Sequence, residues 1–176
     1  RFDREGAARI PFLSAMSMLG SMDGERGSYP ELVDALATHG AQARADAEAI
    51  YRRMVFNVLV SNVDDHLRNH GFLWHGRNGW TLSPAYDLNP TPTDVKARIL
   101  TTNIDLDEGT CSLDLVESSA EYFGLGLPEA RMIIREVGAA VSNWREVAAR
   151  VGARTSEINR MASAFEHEDL ARAASM

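Results

Sequence analysis

Three side chains near the middle of the chain have the types and order that phosphoryl transfer requires. Asp64 and Asn69 stand five apart in Asn62-Val63-Asp64-Asp65-His66-Leu67-Arg68-Asn69-His70, and Asp87 follows in Ser83-Pro84-Ala85-Tyr86-Asp87-Leu88-Asn89-Pro90. The reaction needs one carboxylate to position the attacking hydroxyl or accept its proton. It also needs a second carboxylate and an amide oxygen to hold divalent magnesium across the phosphates. On this reading Asp64 is the base, and Asn69 and Asp87 are the metal ligands. Asp65 competes with Asp64. The spacing to Asn69 favours Asp64, and Asp65 is then expected to face solvent or bind the backbone.

The surrounding residues have plainer roles. His66 is expected to brace the loop by hydrogen bonds, and Tyr86 to pack under the metal aspartate. Arg68 is read as a solvated arginine, with phosphate or substrate contact as the alternative. His66 and His70 are four apart, but zinc would want helical geometry and a third ligand, so they are not read as a metal pair.

The elements that must position these groups can be read from periodicity. Apolar residues Ala43, Ala47, Ile50, Tyr51, Met54, Val55, Val58 and Leu59 recur on one face of a helix over about 42–60, with Arg44, Asp46, Glu48, Arg52 and Arg53 outside. The polar loop with Asp64 follows this helix. Phe72-Leu73-Trp74 and Trp80-Thr81-Leu82 flank an Asn-Gly turn and predict a hairpin, with Trp74 and Trp80 pairing across it. A hairpin joins its own ends, so the loops carrying Asn69 and Asp87 should be neighbours. Residues 83–92 hold three of the six prolines and read as an ordered irregular loop.

Ser28 and Glu31 form a capping box that opens a helix closed by His39-Gly40. Residues 1–4 read as the tail of an extended segment, and 93–110 are ambiguous. Helices are predicted over 113–123, over 128–151 as one long amphipathic element, and from about Ser156, with a fraying end from His167. Gly20, Gly24 and Gly27 lack a Gly-x-Gly-x-x-Gly order and read as a surface loop. The fold class is mainly α (α+β overall), with a small central β-hairpin and no repeat or linker.

Composition limits the alternatives. At 176 residues the chain is about one domain. Its net charge of −7 argues against a broad DNA-binding face. A single cysteine, Cys111, excludes an internal disulfide, reads as a small buried residue, and favours a reducing, cytoplasmic setting. No apolar run is long enough to suggest a membrane span. Lys96 is the only lysine, so chemistry needing a lysine has one candidate, and it lies after Asp87.

Residues 62–70 and 82–88, with the opening Arg1-Phe2-Asp3-Arg4 and Arg9-Ile10-Pro11, resemble the HipA-like family of bacterial toxin serine/threonine kinases. The resemblance implies the helical carboxy-terminal lobe of a protein-kinase-like fold, occupying 1–176, with the amino-terminal lobe absent from the chain. It implies ATP and Mg2+ as cofactors, Asp64 as the catalytic aspartate, and Asn69 and Asp87 as metal ligands. Phe2 falls where the family's hinge meets adenine. The family phosphorylates serine or threonine, and its best-known type modifies a tRNA synthetase. A DNA-binding antitoxin commonly pairs with the toxin, so any DNA contact would run through that partner. The pattern departs from ordinary kinases, with Asn62-Val63 before the base and Asp87-Leu88-Asn89 in place of Asp-Phe-Gly. The glycine-rich phosphate loop and its lysine are missing from this chain, so the isolated lobe is expected to be weak or inactive. Two other readings remain: a small-molecule phosphotransferase with the same Asp/Asn/Asp site, and a non-catalytic partner-binding lobe.

Overall fold

The structure, a computed structural model, describes residues 2–176; the extended reading of Arg1 lies outside the described residues. The architecture is mainly helical with two small sheets. Strands β1 (Arg4–Glu5) and β2 (Ala8–Arg9) form a short hairpin, so the start of the chain turns back on itself. Strand β3 (Phe12–Ser14) runs into helix α1 (Ala15–Leu19), whose N-terminal amide is capped by Ser14.

The predicted central hairpin is present as β4 (Gly71–Trp74) and β5 (Trp80–Leu82), with Trp74 opposite Trp80 and their rings 5.1 Å apart. It is larger than expected, because β3 adds to β4 and makes a three-stranded antiparallel sheet. Phe12-Leu13-Ser14 is too short a run to show the alternation that marks a strand.

Helix α2 (Tyr29–His39) begins at the expected capping box. The Glu31 carboxylate accepts from the Ser28 amide at 2.7 Å, and the Ser28 hydroxyl accepts from the Glu31 amide at 3.4 Å. Helix α3 (Ala43–Leu59) is the spine of the domain, and Ile50, Tyr51, Met54, Val55, Val58 and Leu59 on it are fully buried. Its polar face is narrower than the sequence suggests. Asp46 is buried, and burial raises its carboxyl pKa. Arg53 is half-buried and donates to the Ser83 carbonyl.

Residues 113–123 divide into α4 (Leu113–Ser118) and a 3-10 turn, Ala120–Phe123. The predicted long helix is likewise broken, into α5 (Leu127–Ser142) and α6 (Trp144–Arg150). Both breaks coincide with short polar side chains that compete for helix carbonyls. The Ser142 hydroxyl donates to the Gly138 carbonyl at 2.7 Å, and the Asn143 amide donates to Ala139 at 3.2 Å. Ser119 does the same to Val116 at 3.0 Å. After the break Val151 is exposed rather than part of an apolar stripe.

Helix α7 (Thr155–Phe165) folds back so that Phe165 stacks on Trp144, 4.3 Å apart and 6° from parallel. The end of the chain does not fray as expected. Residues Glu168–Ser175 form helix α8, which buries Leu170 and Ala173 against α5. An ion pair between Asp169 and Arg98, at 2.7 Å, ties it down further. Cys111 is buried in the core, and burial pushes its thiol up to about 12. Among the described residues no helix is long and apolar enough to cross a membrane.

Candidate functional site

The site begins where α3 ends. Ser61 takes a left-handed backbone, φ 53°, uncommon for a residue with a side chain. It is held there from several sides. Its hydroxyl donates to the Ala164 carbonyl at 2.8 Å, its carbonyl accepts from the Thr91 amide at 3.1 Å, and the next amide, Asn62, bonds back to Asn57 at 2.9 Å. The turn throws the chain out of the helix and into the loop that carries Asp64.

Residues 101–102 support that loop. The Val63 carbonyl accepts from the Thr101 amide at 3.2 Å and from its hydroxyl at 2.9 Å, and the Asp65 carbonyl accepts from the Thr102 amide at 2.9 Å. Val63 and Asp65 are buried, while Asp64 is exposed between them.

This assigns the two neighbouring aspartates differently from one sequence expectation. Asp65 neither faces solvent nor binds the backbone through its side chain. It is buried, accepts a short hydrogen bond from the Tyr29 hydroxyl, and lies 2.9 Å from His70 Nε2. The Tyr29 oxygen in turn accepts from the Asn57 amide at 2.9 Å, and Asn57 accepts from Asn62 at 3.0 Å. Burial, then the neighbouring Asp65 charge, raises the Tyr29 pKa well above its usual value, so the phenol stays a donor. A buried carboxylate needs such partners. The sequence held a hint, since Asn57 and Asn62, and again Asp65 and His70, stand five residues apart around the loop.

Contrary to the expectation that it braces the loop, the His66 ring makes no hydrogen bond. Its Nδ1 is buried without a hydrogen bond, and only its carbonyl contributes, accepting from the Asn69 amide at 2.8 Å. The bracing ring is that of His70. Asn69 closes the 3-10 turn Leu67–Asn69 and is buried. Its amide nitrogen donates to the Asp64 carbonyl at 3.2 Å, which leaves Oδ1 as the atom for a cation.

The hairpin brings the second loop alongside. The Ser83 amide donates to the Gly71 carbonyl at 2.8 Å, and the Tyr86 hydroxyl donates to the Arg68 carbonyl at 2.6 Å. Tyr86 therefore ties the two loops together, and its ring lies beside Phe2 at 5.7 Å and Phe12 at 6.4 Å. Phe2 sits in this aromatic group at the edge of the Asp87 loop. Asp87 is exposed, with φ 57°, a conformation Asp tolerates better than most residues. The Asn89 amide donates to one of its carboxylate oxygens at 2.7 Å and orients it. Arg68 is exposed but paired, with its guanidinium 2.6 Å from Asp23 in the surface loop over 20–27.

The donor set suits magnesium. An amide oxygen and a carboxylate are hard oxygen ligands, and magnesium commonly takes one or two protein groups plus phosphates and water. Among the described residues no three His, Cys, Asp or Glu side chains converge to hold a metal. The remaining ligands would therefore come from a nucleotide and solvent. Sequence reasoning also missed Lys96. Its Nζ lies 3.6 Å from Asp64 Oδ1, although it follows Asp87 in the chain.

Comparison with known proteins agrees with the fold. Residues 1–144 match the model of the HipA-like C-terminal domain. A protein of Sinorhizobium fredii named "Putative kinase Y4dM" is 35% identical over 94 residues, 52% of this chain and 22% of that protein. A Haemophilus influenzae protein named "Putative kinase" is 27% identical over 85 residues, 47% of this chain and 25% of that one. The structure of HipA from Shewanella oneidensis MR-1, solved with HipB and operator DNA, superposes with a TM-score of 0.75 at 20% identity. The match covers 99% of this chain and 47% of that one. The chain thus spans about half the length of that solved structure, and the matched segments cover about a quarter of these curated relatives.

Proposed function

The chain belongs to the family of HipA-like C-terminal domains, and from that premise we propose that it is the catalytic carboxy-terminal lobe of a longer serine/threonine kinase. The kinase is of toxin–antitoxin type and depends on ATP and magnesium. One observation carries the reading. The hairpin joins the Asp64–Asn69 loop to the Asp87 loop, and the Tyr86–Arg68 hydrogen bond locks them side by side.

In this site Asp64 accepts the proton of the attacking hydroxyl, and its exposure leaves the carboxylate open to a protein substrate. Asn69 Oδ1 and the Asp87 carboxylate hold the metal. Magnesium, when bound, neutralises the phosphate charge, and ATP supplies the phosphoryl group. Phe2, beside Tyr86, offers a ring to the adenine.

The glycine-rich loop and phosphate-binding lysine belong to an amino-terminal lobe outside this chain, and a lobe without them positions a nucleotide poorly. HipA of Shewanella oneidensis was solved with HipB and operator DNA, which supports a DNA-binding antitoxin as partner here. The charge of −7 favours DNA contact through that partner. The single buried cysteine suits the cytoplasm.

The test is transfer of label from γ-labelled MgATP by the full-length gene product. Asp64→Asn should lose transfer by about 100-fold or more while keeping nucleotide binding. Asp87→Asn should weaken MgATP binding. Transfer that survives both substitutions, or none from the intact protein, would overturn the reading.

A further inference from the structure

Lys96 is the only lysine in the chain, and the fold places its ammonium 3.6 Å from the Asp64 carboxylate. The segment that delivers it is held at both ends. Before it, the Thr91 amide donates to the Ser61 carbonyl at 3.1 Å and the Thr93 amide to the Ser163 hydroxyl at 3.1 Å; Asp94 pairs with Arg160 at 2.8 Å. After it, the Arg98 guanidinium reaches the Ser61 hydroxyl and the Val58 carbonyl, both at 3.0 Å, and Asp169 at 2.7 Å. Ser61 is the residue whose turn launches the Asp64 loop, so loop and lysine share one anchor.

The pair is poorly suited to stabilising the fold. The side chains of Lys96 and Asp64 are 51% and 72% exposed, and such pairs contribute little in water. Both charges remain open to a ligand. Other cations nearby are engaged elsewhere: Arg68 with Asp23, and Arg53 with the Ser83 carbonyl.

We propose that Lys96 is a catalytic residue whose ammonium contacts the transferred phosphoryl group beside Asp64; this rests on the kinase reading above. In the transfer the acceptor hydroxyl gives its proton to Asp64 as its oxygen bonds to phosphorus. The bond to the departing ADP oxygen breaks, with its electron pair staying on ADP. Negative charge lies on the equatorial oxygens throughout, and a cation fixed beside the base meets it.

The experiment compares wild type, Asp64→Asn, Lys96→Met and Lys96→Arg in the full-length gene product, with MgATP as the probe. It reads label transfer and ADP release, the KM for MgATP, and Tm. Lys96→Met should lower kcat about 10- to 100-fold, with KM and Tm little changed, and Lys96→Arg should restore much of the rate. An unchanged kcat in Lys96→Met, beside an active wild type and an inactive Asp64→Asn, would overturn the role of Lys96 alone. A raised KM with kcat unchanged would overturn it as well. An inactive wild type, or an active Asp64→Asn, would overturn the kinase reading and this one with it.

Discussion

The Tyr86 hydroxyl donates a 2.6 Å hydrogen bond to the main-chain carbonyl of Arg68. The bond links the loop of Asp87 to the loop of Asp64 and Asn69. Burial is the main cause of the raised Tyr86 pKa, opposed by Arg53, so the phenol remains a donor at neutral pH. Tyr86→Phe removes this bond and leaves the ring. It should cost about 1 kcal/mol of stability and weaken MgATP binding by the full-length protein several-fold. Calorimetric titration checks it, and unchanged affinity would mean that the two loops hold their places without the tether.

Adjacent aspartates should respond in opposite ways. Asp65 is buried with Tyr29 and His70, so Asp65→Ala should destabilise the fold by about 3–5 kcal/mol, the usual effect of breaking a buried charged pair. Asp64 is exposed, and Asp64→Ala should change stability by about 0.5 kcal/mol or less. Urea denaturation of the two variants decides this. A large loss for Asp64→Ala would contradict the exposure of its side chain on the loop.

The docking of the final helix can be tested at Gly138. A Cβ added there would lie 2.7 Å from the Ala173 Cβ and 2.9 Å from its carbonyl carbon. Alanine favours helix over glycine by about 1 kcal/mol, but overpacking costs about 1–3 kcal/mol. Gly138→Ala should therefore lower stability slightly and speed amide exchange in α8. Slower exchange there would show that α5 and α8 separate without strain.

Stability should fall on the acid side through His167. Its Nδ1 accepts from the Leu170 amide at 3.3 Å, and its Nε2 donates to the Leu59 carbonyl at 3.1 Å, an arrangement for neutral imidazole. Burial, and then Arg98, lowers its pKa, with Asp169 opposing. The unfolded chain thus takes up the proton first as pH falls. The contribution is complete above the ordinary value of about 6.5 and is lost as pH drops from there through the lowered folded value. His167→Gln should flatten the stability profile over that window. Asp46, whose raised pKa acts with the opposite sign, is common to both proteins and cancels in the difference. An unaltered slope in denaturation measured across that range would exclude His167 as the source.

Much of the fold is legible where the deciding interaction is local. The Ser28–Glu31 capping box, the apolar face of α3 and the Trp74–Trp80 pair all depend on residues a few positions apart or directly across one turn. The same holds for the break at Asn143, but there the competing side chains were weaker signals than the apolar stripe running through them. The docking of α8 depended on Gly138, Arg98 and Leu113, all distant in sequence, and short terminal helices have little stability of their own.

The site divides along the same line. The order Asp64, Asn69, hairpin, Asp87 was set by residue type and spacing, because a hairpin brings its ends together whatever surrounds it. Which neighbouring aspartate faces outward was not. Two adjacent aspartates in a loop carry no local mark of which one is buried. That choice was made by Thr101 and Thr102 pairing with the loop backbone, and by Tyr29 and His70 receiving the Asp65 carboxylate. The place of Lys96 was decided in the same way. Its segment has no periodicity to read, and only contacts with Ser61, Ser163 and Arg160, each far along the chain, carry the ammonium back to Asp64.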